Sequence, residues 1–282
     1  MNPVLRAVHA GLDRGLIELK QTFTTGQDVF AQLFWPGVML VAMFFMRDST
    51  IGAGGFSLGS FALPSVLGMN LAATGLMGIA QLLATEREDG TLLRAKATPH
   101  GMVGYLIGKL VLVSGGVLAG LVIVLVPGAF FLRGLDLGSP GSWLTLLWVV
   151  SLGLVATLPV GAVAGSLVSS PRALGLITLP IMGLVAVSGI FYPITAMPGW
   201  AQWIAQAFPI YWLGLGMRSG LLPAQLAQVE IGQSWRPVET VLVLGVWAVA
   251  GLLVAPVVLR RMARRESGST VAERREKAMQ AK

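Results

Sequence analysis

The stretch whose reading decides the fold is residues 84–110, "ATEREDGTLLRAKATPHGMVGYLIGKL". Three acids and three bases fall within the eleven residues from Glu86 to Lys96. Long apolar runs flank it on both sides. A helix needs about 20 mainly apolar residues to cross a bilayer, so the charged stretch reads as a hinge in water between two spans. Gly90 interrupts the preceding helix. Thr91 is placed to cap a new short helix over residues 91–98, which Pro99 stops.

The composition of the whole chain agrees with that reading. Its 282 residues are 55% hydrophobic and 12% charged, with a mean hydropathy of +0.76. Soluble domains carry about 25% charged residues, so this chain lacks the polar surface to face water on all sides. There is no cysteine, which excludes disulfide and thiolate chemistry. Residues 1–20 lack the uninterrupted apolar core of a cleavable signal peptide. Instead Leu5, Val8, Leu12, Leu16 and Leu19 recur at helical spacing, the stripe of an amphipathic helix lying on a membrane surface.

Six segments are expected to span: residues 29–46, 58–84, 102–132, 143–168, 173–191 and 238–259. The second and third exceed what a bilayer requires, so they tilt or project. The expected division is an interfacial helix over residues 1–26, a transmembrane domain over 27–259 and a basic cytoplasmic tail over 260–282. Sixteen of the twenty Lys and Arg fall on the side that holds both termini and the charged hinge. Only Arg47, Arg133, Arg218 and Arg236 fall on the other. Positive charge collects in the cytoplasm, which puts both termini and the hinge inside. The net charge of +7 is thus a topology signal. No basic, aromatic-interleaved module points to nucleic acid.

Residues 192–237 stand apart. They hold Trp200, Trp203, Trp212 and Trp235, Tyr192 and Tyr211, and the helix-breaking Pro193, Pro198, Pro209 and Pro223. A full span here would move the basic tail outside. Short re-entrant helices are expected instead, with the aromatics at headgroup depth.

No Asp or Glu lies in the interior of an expected span, and both histidines, His9 and His100, lie in cytoplasmic segments. Lys109 is the one clear base within a span, near enough to its end to snorkel. Proton-coupled carriers use buried ionisable groups, and intramembrane enzymes use carboxylates, His or Cys gathered at one depth. Neither pattern is present, so catalytic and metal-ligating residues are not expected. The run "GMVGYLIGKL" is no phosphate-binding loop either. That pattern needs glycine at 103 and a hydroxyl at 110, where Val103 and Leu110 stand. Three glycine pairs spaced by four, Gly104/Gly108, Gly116/Gly120 and Gly161/Gly165, are candidates for close helix packing.

Two motifs carry a resemblance. "EREDGTLLRAKATP" followed by "YLIGKL" is similar to a pattern of the ABC-2 type family of ABC transporter permeases. "VSGIFYPITAMPGWAQWIAQAFPIYW", residues 187–212, resembles that family's signature ahead of its last span. The chain departs from the first pattern at Ala95 and Lys96, where a bulky apolar residue is common. The resemblance implies an all-α membrane bundle of six helices that hydrolyses no ATP itself. ATP and Mg would be bound by a partner ATPase, present in two copies, and a second permease subunit, identical or paralogous, would complete the assembly in the inner (plasma) membrane.

By the same resemblance Glu86, Arg87, Glu88, Asp89, Gly90 and Thr91 mark the junction with a coupling helix. Leu92, Leu93 and the residues up to Pro99 would form its contact with the ATPase. The path would be lined by the second and fifth spans, with Asn70, Thr74, Met77, Thr178 and Met182 as candidates. So apolar a wall suits export of amphipathic or hydrophobic substrates such as drugs or lipids. The alternatives are a lipid-linked glycan or teichoic-acid precursor as cargo, or a non-transporting membrane anchor for an ATPase.

Overall fold

The computed structural model of the chain describes residues 3–51, 56–168, 171–190 and 192–265. The tail beyond 265, and Phe191 at the end of the fifth expected span, lie outside the described residues. The described chain is helical apart from a two-residue antiparallel ribbon that pairs Thr50–Ile51 with Phe56–Ser57.

Five helices are long and apolar enough to cross a membrane. They are α2 (Gly26–Phe45), α3 (Leu58–Glu88), α5 (Gly101–Phe131), α6 (Pro140–Leu167) and α10 (Pro237–Arg265). Helix α1 (Pro3–Thr22) precedes them, and α4 (Thr91–Lys96) links α3 to α5. Helices α3 and α5 have 31 residues each, about 46 Å at 1.5 Å per residue, against a hydrocarbon core of about 30 Å. Both therefore overreach the bilayer, as their apolar lengths predict. Helix α10 continues past residue 259 through Arg260, Arg261 and Arg264, so the basic tail begins as helix.

The fifth expected span is shorter than its apolar run. Helix α7 covers only Gly175–Ala186, 12 residues, after a 3₁₀ turn over Pro171–Leu174. Gly189, with φ of 69°, ends the segment on the other side. Left-handed backbone of that kind suits glycine and interrupts a helix. At about 18 Å, α7 alone does not match the bilayer core.

Helices α8 (Gly199–Ala207) and α9 (Pro209–Leu221) meet at the extended Phe208. Proline at 209 starts α9 where its missing N–H is not needed. Before α8 and after α9, Thr195 donates its hydroxyl to the Val229 carbonyl at 3.1 Å. The segments that lead into and out of this helical pair thus lie side by side. Helix α9 is the most enclosed element: Tyr211 is fully buried and Trp212 is 2% exposed. These two aromatics are enclosed by protein, while Trp200 and Trp203 are exposed. The burial follows from close approach of α9 to α3. A Cβ on Gly68 would meet the Gly214 backbone at 2.6 Å.

Arg218 of α9 is not a free outer charge either. It is fully buried, pairs with the buried Glu230 at 2.8 Å and donates to the Ser65 hydroxyl of α3 at 2.9 Å. Removing either partner of such a pair strands a charge without solvent. The pair therefore ties α9 and the Ala224–Val229 turn to α3.

Candidate functional site

The charged hinge is built on the cytoplasm-expected end of α3. The helix stops at Glu88, and Gly90 adopts φ of 80°. That left-handed turn redirects the chain into α4 at almost no cost for glycine. The N-cap position of α4 is Gly90 rather than the expected Thr91, and Asp89 just before it supplies the side-chain acceptor: Asp89 Oδ1 accepts the Thr91 N–H at 2.7 Å. Thr91 uses its hydroxyl to accept from Arg94 Nη2 at 2.8 Å. Helix α4 ends at Lys96, Thr98 bonds back to the Ala95 carbonyl, and Pro99 follows, exposed.

Two of the six junction residues face inward. Arg87 is 8% exposed and donates Nη1 to the carbonyls of Ser166 at 3.2 Å and Val168 at 2.7 Å. These are carbonyls at the end of α6 that lack helical partners, so one guanidinium closes that helix and fastens it to α3. Glu86 pairs with Lys109 of α5 at 2.5 Å. Lys109 also holds Glu18 of α1 at 2.6 Å, and Arg14 holds the same carboxylate at 2.8 Å. The Lys109 side chain is only 5% exposed; it does not snorkel to water as expected but bridges α1, α3 and α5. Tyr105, one turn before it, is buried beside Glu86. Burial opposes ionisation of Glu18, but the hydrogen bonds from Lys109 and Arg14 outweigh it and hold the carboxyl below its ordinary range.

Helix α1 reaches this cluster through glycine. A Cβ on Gly11 would collide with the Gly104 carbonyl, and one on Gly15 would meet the Gly108 carbonyl at 2.6 Å. The Gly104/Gly108 spacing thus does mark a close interface. The Gly161/Gly165 pair does too, against Leu76 and Ala80 of α3. A Cβ on Gly116 would meet nothing within 4 Å, and one on Gly120 would meet Asn70 Oδ1 at 3.0 Å. The apolar stripe of α1 stays partly outside: Leu5, Leu12 and Leu16 are exposed.

Of the other junction residues, Glu88, Thr91 and Leu93 are half-buried, Asp89 is exposed, and Leu92 is 1% exposed beneath α4. Leu92 packs in a second small core with Ile79, Leu83, Tyr105, Leu259 and Met262. Helix α4 is thereby seated on three long helices, α3, α5 and α10.

The candidate path residues do not form one surface. Two cavities, of about 600 and 620 Å³, lie along α3 against α2 and α5, and both are lined by Trp35, Pro36 and Asn70. Asn70 therefore stands between them. Thr74 lines the first and Met182 the second. Met77 packs on the main core instead, and the half-buried Thr178 lines neither. Thr74 and Met77 both belong to a π-helical turn, Thr74–Gly78, inside α3. It sits where Gly75 abuts Thr157 of α6. Such turns interrupt the regular hydrogen-bond ladder and recur at functional sites.

Among the described residues no group of His, Cys, Asp and Glu is placed to hold a metal. Residues 49–258, about three-quarters of the chain, match the profile of the ABC-2 family transporter proteins, and the chain belongs to that family. Its members are membrane-spanning permease components of transporters, lack a nucleotide-binding domain of their own and normally work with an ATPase subunit. No curated protein matches the chain.

Proposed function

We propose that the chain is the permease subunit of an ATP-driven exporter that moves an amphipathic or hydrophobic substrate out of the cytoplasm. In this reading two copies of a cytoplasmic ATPase bind ATP and Mg and dock at residues 86–99. A second permease subunit completes the path, in the inner membrane, with both termini cytoplasmic. The observation that carries it is the seating of α4. A short helix, capped by Asp89 and turned by Gly90, is fixed to the end of a 31-residue rod that crosses the whole bundle. A push on α4 from outside is passed into α3 and, through Arg87 and Lys109, into α6 and α1.

The remaining pieces support the same reading. The exposed leucines of α1 would lie on the inner leaflet. The α8–α9 pair, whose flanking segments lie side by side, would be re-entrant from outside. Its exposed Trp200 and Trp203 would meet the headgroups. The test is a photo-crosslinker at the exposed Lys96, introduced in the membranes of the cell that makes this chain, with captured proteins identified by mass spectrometry. The ATPase should be captured from Lys96 and not from Ser234. Capture from Ser234 alone would reverse the orientation and remove the docking assignment.

A further inference from the structure

The two cavities along α3 differ in chemistry, and the difference selects a substrate. The one nearer α4 is lined by Gln32, Gln81, Thr85, Glu86 and Asp89 among its polar groups, and by no Lys or Arg. The other is walled by Met39, Val66, Met69, Val124, Met182 and Val185. Both are lined by Trp35, Pro36 and Asn70, which stand between them. Glu86 and Asn70 are sixteen residues apart on α3, about 24 Å. Taken end to end, the two cavities form a groove-like series along α3, polar and acidic near α4 and apolar beyond Asn70.

The acidic end has unused acceptors. Lys109 is engaged by Glu18 Oε2 and by Glu86 Oε1. Glu86 Oε2 is buried and has no hydrogen-bond partner, and neither has Asn70 Oδ1 at the junction. A buried acceptor without a donor is costly to leave so. A phosphate or carboxylate headgroup would meet two carboxylates and no Lys or Arg in the wall, Lys109 standing behind Glu86. An ammonium headgroup would meet acceptors, with charge of the right sign.

Resting on the exporter reading above, we infer that the groove takes a cationic amphiphile: an amine headgroup at Glu86 and Asp89, and an alkyl or aryl tail past Trp35 into the apolar half. This sets the substrate apart from lipid-linked phosphates, whose headgroups the acidic end repels.

Trp35 reports on the groove directly. The full chain is placed in nanodiscs of phosphatidylcholine, without ATPase. Its fluorescence is titrated with 11-bromoundecylamine and with 11-bromoundecanoic acid, equal tails with opposite headgroups. The Trp35 component is the part lost in Trp35→Phe. The amine should quench it saturably, with an affinity at least about tenfold above that of the carboxylate. In Glu86→Gln the preference should fall toward one, and Glu86→Asp should keep it. If Glu86→Gln does not fold, Asp89→Asn serves, because its amide oxygen can still cap α4 while the charge is gone. A carboxylate that quenches as well as the amine overturns the proposal, as does a preference unchanged in Glu86→Gln and Asp89→Asn, or the absence of saturable quenching. Because no transport is measured, such a failure would leave the exporter reading standing. Crosslinking at Lys96 tests that reading separately.

Discussion

Lys109 shows how one residue can hold three helices. It is buried, and it is matched by two carboxylates from distant parts of the chain, Glu18 and Glu86. Replacing it with methionine would leave two carboxylates facing each other with only Arg14 nearby. Removing one member of a buried pair costs about 3–5 kcal/mol. Lys109→Met should therefore lower the thermal unfolding temperature by several degrees, and adding Glu86→Gln should restore part of the loss. A Lys109→Met protein as stable as the parent would show that the pair contributes nothing.

The same cluster sets a pH dependence. Glu18 has a folded pKa below its ordinary 4.5. Its contribution is thus present above that value and is lost as the pH falls through the lower folded one. Spin labels at the exposed residues 13 and 103 should report α1 leaving α5 only below about pH 4.5. In Lys109→Met that release should begin at higher pH.

At the scale of elements, α4 was largely legible and the contacts around it were not. Gly90 and Pro99 announce the break and the stop because their backbones admit few alternatives. The side-chain acceptor comes from Asp89 rather than Thr91 because the left-handed Gly90 brings the Asp89 carboxylate back over the new helix. Periodicity carries no such information. Nor does it reveal that Lys109 pairs across 91 residues with Glu18, or that Arg87 closes α6. Helix α7 came out short because Pro171 and Gly189 bound an apolar run that composition alone reads as a span. Asp89→Ala should cost α4 about 1 kcal/mol, the value of a lost side-chain cap, seen as faster amide exchange over residues 91–96. Gly15→Leu should do more, because its side chain meets the Gly108 carbonyl. It should free α1 from α5, a separation the same spin-label pair would measure.

At the scale of the molecule, the family was legible from two motifs because they lie where backbone geometry is most constrained. The groove was legible only in part. Asn70 and Thr74 of α3 and Met182 of α7 line the two cavities, and Met77 and Thr178 do not, a difference that periodicity does not carry. Helix α2 is only 6% buried over its apolar window, and Leu176 and Leu179 of α7 stand exposed. That apolar surface is the one offered to lipid. The cysteine-free chain makes its orientation simple to test. Single cysteines at residues 139, 195, 228 and 234 should react with an impermeant reagent from outside, and one at residue 95 should not. Residues 195 and 228 must behave alike, since Thr195 is bonded to Val229.

The central claim is that α4 and its glycine turn pass ATPase motion into the bundle. Gly90 holds φ of 80°, which proline, fixed near −65°, does not adopt. The decisive measurement is ATP hydrolysis by the ATPase assembled with the permease in nanodiscs, relative to the ATPase alone. With Gly90→Pro, and with Glu88→Ala, the permease-dependent part of the rate should be lost. The ATPase alone keeps its basal rate, and Ser234→Ala behaves as the parent. Full permease-dependent hydrolysis in both Gly90→Pro and Glu88→Ala would contradict the account and reduce residues 86–99 to a loop that only sets topology.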